Sequence, residues 1–304
     1  MDAKKRHSIV STDKGFTIIE LLIAIIVTSI VGVAMVSNSI SQQRAATMVR
    51  QVAQMQQQLR GAVYILEEDI RIAGYDPQST GLFGITDVRR YDITNEVTAP
   101  VVTAAPLGSP ALTLAYDFDP NNAATNSNGI LDEPTFSYLL YDDNADNIFD
   151  LARDTNGQRQ LVAEGIDAIG FAFAIDTDGD GELDRTPNNN IIWAVDSDNN
   201  NTLDTNLDTN DDGNIDINDD GDNNYVIEAA DGAAGLINPP VPLNQIRMVR
   251  IWMVARTRNI DPQYNSTDQF VVGDRVVPAQ AGGFQDNFRR QLMDHTVQFR
   301  YMGI

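Results

Sequence analysis

Residues 16–36 read FTIIELLIAIIVTSIVGVAMV, an apolar run carrying a single charge, Glu20. A helical run of this length matches the hydrocarbon thickness of a bilayer, and that restricts the chain more than any other segment. A charged side chain at the bilayer centre costs about 2.5–3.5 kcal/mol on insertion scales, so Glu20 asks for a purpose. In front lies a short leader, residues 1–15, with Lys4, Lys5, Arg6 and Lys14 against Asp2 and Asp13. Its net positive charge stays on the cytoplasmic side and sends the chain beyond the apolar run out of the cytoplasm. A secretory signal peptide would have a shorter apolar core followed by a small-residue cleavage site, and Ala34-Met35-Val36 makes a poor one. A plain single-pass anchor fits the length and leaves Glu20 unexplained.

Helical periodicity continues past the apolar run. Ala45, Met48, Val52, Met55, Leu59, Ala62, Leu66 and Ile70 recur at spacings of three and four, with glutamine and arginine between them. That pattern is the apolar stripe of an amphipathic helix. Gly74 is a stop signal, and Asp76-Pro77 lies just beyond it. One helix from Phe16 to Ala73 would be roughly 85 Å long at 1.5 Å per residue.

The junction Lys14-Gly15, followed by Phe16-Thr17-Ile18-Ile19-Glu20-Leu21-Leu22, resembles the leader of type IV pilins and type II secretion pseudopilins. The resemblance implies cleavage after Gly15 by a prepilin peptidase and N-methylation of Phe16. It also gives Glu20 a role, pairing with the N-terminal amine of a neighbouring subunit. The physics agrees, since a charge in an apolar bundle is tolerable when paired and leaving one partner unpaired costs several kcal/mol. Snorkelling of Glu20 to the headgroups is open as well, because it lies near the helix end. The stretch LEEDIRIAGYDP, residues 66–77, resembles the helix end of PilW-type minor pilins and, less closely, of pseudopilin J. VRIWMVARTRNIDP and the closing RRQLMDHTVQFRYMGI resemble the C-terminal region of the same group. Asp69 could pair with Arg71 at the surface or brace the head, and the residues alone do not choose.

Beyond the helix, segments 111–118, 135–142, 169–176, 245–257 and 295–302 alternate in the manner of strands. In the longest, Arg247, Val249, Ile251 and Met253 fall on one face, and Met248, Arg250, Trp252 and Val254 on the other. The expected class is α+β, a pilin fold. A long N-terminal helix packs its second half on an antiparallel β-sheet head that carries acidic calcium-binding loops. The expected divisions are the leader at 1–15, the transmembrane and filament-core half of the helix at 16–40 and its amphipathic half at 41–74. The head spans 75–304, with its Asp/Asn-rich loops at 142–224.

Of the residues from Asp176 to Asn224, 26 are Asp or Asn and one, Arg185, is basic. A like-charged polar tract is ordinarily disordered. Calcium loops instead place oxygens at every second position around a glycine turn. DTDGDGELD sets Asp176, Asp178 and Asp180 at positions 1, 3 and 5, the Glu182 carbonyl at 7 and Asp184 at 9. Pro187 stands where a position-12 glutamate would, so the match ends at nine. A second loop has Asp208, Asn210, Asp212, Asn214 through its carbonyl, Asp216, and Asp219 at position 12. Weaker candidates are Asp142, Asn144, Asp146 and Asp150, and Asp196, Asp198, Asn200 and Asp204. A further frame, DINDDGDNN, starts at Asp216 and overlaps the second loop. Calcium is the expected cofactor, and it would staple a head without a single cysteine.

The net charge of −22 speaks against a nucleic-acid-binding surface. The two histidines, His7 and His295, make a multi-histidine metal site unsuitable, and no nucleophile, phosphate-loop or dinucleotide motif is present. The expectation is therefore a non-enzymatic subunit held in the inner membrane by one span, head outside the cytoplasm, then moved into a pilus at or near its tip. The implied partners are other major and minor pilins, the prepilin peptidase, the inner-membrane assembly platform and the membrane itself. A J-type pseudopilin and a membrane-anchored calcium-dependent adhesin are the alternatives.

Overall fold

The computed structural model describes residues 15–89, 111–117, 127–131, 135–142 and 148–302. The chain divides into two units, Met1–Arg50 and Gln51–Ile304. Helix α1, Ile18–Ile72, begins in the first and ends in the second.

Within the first unit the helix exposes its apolar side chains all round, including Ile18, Ile19, Leu22, Ile25, Ile26, Ile30 and Val33. It is long and apolar enough to cross a membrane. A helix that is apolar on every face is suited to a lipid or protein surround rather than water.

Within the second unit α1 becomes one-sided. Met55, Leu59, Ala62, Leu66 and Ile70 are buried as the periodicity predicts, Val63 is buried beside them and Val52 is half-buried, whereas Ala45, in the first unit, is exposed. The helix stops where expected. Gly74 takes a φ of +80°, a conformation that costs a residue without Cβ little, and its amide donates to the Ala115 carbonyl.

Thirteen strands come after α1 among the described residues, all paired antiparallel. Strands β1 (Gly84–Val88), β2 (Leu112–Ala115), β3 (Phe136–Tyr141), β4 (Asp150–Thr155) and β5 (Gln158–Ala163) form a meander in sequence order. A second sheet runs β13-β10-β6-β7-β8-β9, built from β6 (Ile166–Ile175), β7 (Trp193–Val195), β8 (Thr202–Asn206), β9 (Leu236–Pro242), β10 (Ile246–Arg256) and β13 (Arg290–Gln298). A hairpin of β11 (Phe270–Val272) and β12 (Arg275–Val277) completes the set. The head thus has two main sheets where a single one was expected. The last strand also ends at Gln298 rather than 302; the Phe299 amide still donates to the Arg247 carbonyl of the neighbouring chain segment, and Phe299 and Met302 are buried in the core.

The alternation along β10 sorts two cores. Val249, Ile251, Met253 and Ala255 join the α1 stripe and both sheets in the larger one. On the opposite face Trp252 and Val254 pack with Ala168, Ala172, Val195, Val272 and Val277. That smaller core also takes Leu207, with Ile215 packed against it, both from the acidic region, and Ile227 from just beyond Asn224. The Asp/Asn-rich tract is therefore ordered, because its scattered apolar residues cover one face of the second sheet.

Candidate functional site

At the start of α1 the chain builds a reciprocal cap. The Glu20 amide donates to Thr17 Oγ1 at 3.2 Å, while the Thr17 amide and hydroxyl donate to Glu20 Oε2 at 2.9 and 3.0 Å. This is a capping box, which satisfies helix-end donors that otherwise lack partners. It gives Glu20 a local role that its apolar surroundings concealed in the sequence, although Thr-x-x-Glu was there to be read. Phe16, just before the helix, is 90% exposed among the described residues.

Asp69 braces the head. Its Oδ2 accepts from the Tyr138 hydroxyl at 2.6 Å and from Arg153 Nε at 2.5 Å, and its Oδ1 accepts from Arg153 at 3.0 Å. The carboxylate so ties α1 to β3 and β4. Burial, reinforced by the Asp69 charge, holds the Tyr138 phenol far above its ordinary pKa, so it donates at any physiological pH. Arg71 pairs instead with Glu67, one helical turn away.

The acidic region resolves into four loops whose first acids are all buried: Asp176, Asp196, Asp208 and Asp220, at 3, 4, 1 and 4% exposure. In three of them the first carboxylate accepts the amides of the fifth and sixth residues. Asp196 takes Asn200 and Asn201, Asp208 takes Asp212 and Gly213, and Asp220 takes Asn224 and Tyr225, at 2.6–3.1 Å. Asp176 differs, accepting from the Gly179 amide at 2.7 Å and from Arg247 Nε at 3.3 Å.

Closure separates the loops into two lengths. Asp184 and Asp204, each ninth in its loop, accept the amide and hydroxyl of the second residue, Thr177 or Ser197. Asp219 and Asp231, each twelfth, accept the amide of the ninth residue, Asp216 or Glu228, at 2.9 and 2.6 Å. Asp219 also takes the Thr209 amide at 2.9 Å. The loops 208–219 and 220–231 therefore abut without sharing a residue, and the frame expected to start at Asp216 starts at Asp220 instead.

Three carboxylate groups converge among the described residues, each with ligand oxygens within 4.8 Å of one another: Asp176, Asp178 and Asp184; Asp196, Asp198 and Asp204; Asp220, Asp222 and Asp231. Asp180 stays outside the first group and accepts the Glu182 amide. In the 208–219 loop no such trio forms. Asn210 and Asp212 accept backbone amides, as does Asp216 from Asn218. The Asn214 carbonyl, given position 7 in the sequence, lies in the same turn. Asn200 accepts from Thr202. Of the 142–150 candidates, Asn144 and Asp146 fall outside the described residues, and Asp150 accepts the Gly165 amide at 3.0 Å. Burial pushes Asp196 up to about 6, with the Asp198 carboxylate adding to it. Burial raises Asp208 and Asp219 in the same direction. A divalent cation acts against that shift, since it favours the charged form.

Residues 11–36 match the family model described as the prokaryotic N-terminal methylation motif. No curated protein matches the chain. One similar solved structure is a type IV-like pilin from Thermus thermophilus, at 10% identity and a TM-score of 0.34, covering 81% of this chain and 97% of that one.

Proposed function

We propose that this chain is a minor pilin of the PilW type, a non-enzymatic subunit that initiates assembly of a type IV pilus or caps it. The observation that carries the reading is the methylation motif over residues 11–36, which sets Gly15–Phe16 and Glu20 at the head of a helix apolar enough to span a bilayer. On this reading residues 1–15 are removed by the prepilin peptidase and Phe16 is methylated. The span holds the protein in the inner membrane with the head outside the cytoplasm. The assembly platform then passes it to other pilins, at or near the tip. The mature N-terminal mass tests the first step. Loss of residues 1–15 with one added methyl group supports it, and an intact leader favours an anchored adhesin that never enters a filament. A J-type pseudopilin of a type II secretion system is the second reading, supported by the likeness of residues 66–77. Deleting the gene separates the two, since surface pili are lost in one case and exoprotein secretion in the other.

We further propose that the acidic loops bind calcium, with Asp176, Asp178 and Asp184 in one site and Asp196, Asp198 and Asp204 in another. Asp208 with Asp219 forms a third, and Asp220, Asp222 and Asp231 a fourth. Hard carboxylate oxygens at alternate positions are the donor set for this ion, and extracellular sites of millimolar affinity suffice outside the cell. Support comes from convergence of oxygens in three of the four and from buried first acids in all of them.

A further inference from the structure

The end of α1 and the last described residues of the chain meet at a cleft of about 440 Å³, lined among others by Tyr75, Asp76, Phe83, Asn244, Tyr301 and Met302. The Tyr75 and Tyr301 rings meet edge to face, with centroids 5.1 Å apart and planes at 79°. Two aromatic walls thus stand nearly perpendicular, and Phe83 adds a third ring to the lining. In the same lining Asp76 Oδ2 accepts from Thr80 Oγ1 at 2.9 Å and from the Gly81 amide at 2.8 Å. Its other oxygen, Oδ1, is enclosed and has no hydrogen-bond partner among the described residues. Among the described residues no lysine or arginine lines the cleft. A buried acceptor left without a donor is destabilising, and more so when it is charged.

We propose that this cleft binds an organic cation, a primary ammonium or guanidinium group of the kind carried by a lysine or arginine side chain of a partner protein. Ring faces attract cations through their quadrupole, and most strongly where water is excluded. An ammonium seated in the cleft lies against its aromatic lining and beside the Asp76 carboxylate that shares that lining, and charge-assisted bonds to a carboxylate are the stronger kind. The net charge of −22 raises the local concentration of cations and repels anionic ligands. The cleft belongs to the head alone, so the outcome is independent of processing at Gly15.

The test uses the full chain in nonionic detergent with ¹³C-methyl-labelled methionine. The chain holds 8 methionines, and Met302 reports from the cleft wall. Acetyl-lysine-methylamide is titrated in, beside the same compound acetylated on its side-chain amine, butylamine and methyl glucoside. A Met302 shift with the charged lysine compound and none with its acetylated form supports the proposal. Tighter binding of the lysine compound than of butylamine assigns the cation to a protein side chain, and the reverse order assigns it to a free amine. Asp76→Asn, which keeps an acceptor for Thr80 and Gly81, weakens binding about tenfold, as does Tyr301→Leu, with the other methionine signals unchanged. Equal shifts with the acetylated compound, a stronger shift with methyl glucoside, or no shift at tens of millimolar would overturn it.

Discussion

Glu20 has two separable uses, and one substitution tells them apart. A glutamine at the third helical position still completes a capping box, because its amide oxygen can accept from Thr17. It carries no charge to pair with a neighbour's amine. Glu20→Gln is therefore expected to hold the helix start and still assemble as poorly as Glu20→Ala, while both are cleaved normally. Wild-type pilus incorporation of Glu20→Gln, measured by immunoblot of sheared filaments, would reduce the residue to a cap. Asp69 is a second such case. Asp69→Asn leaves Arg153 without its counter-charge, and the loss is expected near the lower end of the ~3–5 kcal/mol seen for broken buried pairs, because Arg153 keeps some exposure. Tyr138→Phe removes one donor and should cost about 1–2 kcal/mol. Denaturant titration of the two variants checks that order, and equal stability of Asp69→Asn and wild type would show the brace to be dispensable. The cap was legible in four consecutive residues. The brace was not, since its partners lie 69 and 84 residues away in sequence.

At the scale of elements, close approach decides how β11–β12 sits on the second sheet. A Cβ at Gly170 in β6 would lie 2.6 Å from the Gly273 amide nitrogen and 2.7 Å from the Val272 carbonyl carbon. Both are backbone atoms and cannot rotate away. Gly170→Ala should force the hairpin off the sheet and cost about 1–3 kcal/mol, the usual range for overpacking. Rapid proteolysis between residues 260 and 285 in that variant, against a resistant wild type, is the expected readout. The helix, its stop at Gly74 and five strand segments could be read from periodicity, since each has a local pattern of three to four or of two. The loop frames could not. In a tract where 26 residues between Asp176 and Asn224 are Asp or Asn, several registers satisfy the same spacing. What selects among them is where Leu207, Ile215 and Ile227 anchor to the sheet, a tertiary fact. Asp231→Ala should therefore weaken calcium binding as much as Asp220→Ala does, and Asn218→Ala should leave it unchanged. Calorimetric titration of the three variants checks the frame.

For the molecule as a whole, the two cores should respond differently to calcium. The larger core is built mainly from α1 and both sheets and takes only Ala194 and Leu203, with Ile192 packed against it, from the acidic region. The smaller one depends on them, because their apolar residues supply part of its cover. Carboxylates packed at this density repel one another, so the loops are the least stable part of the head until cations offset the charge. Both tryptophans of the chain report on this region: Trp252 is buried in the smaller core and Trp193 packs against it. Chelation should therefore shift tryptophan emission to the red while far-ultraviolet circular dichroism, dominated by α1, changes little. Calcium at a hundredfold excess over the dissociation constant of one site adds about 2.7 kcal/mol to the unit it stabilises. In a domain of this size each kcal/mol is worth about 2–4 °C, so melting tracked by tryptophan emission should rise by about 5–10 °C. Magnesium at the same concentration should do less, since it demands a tighter octahedral shell than these loops offer. If emission and melting both ignore millimolar calcium, the loops hold their shape through backbone hydrogen bonds and the apolar anchors alone, and the ion has no structural part in the head.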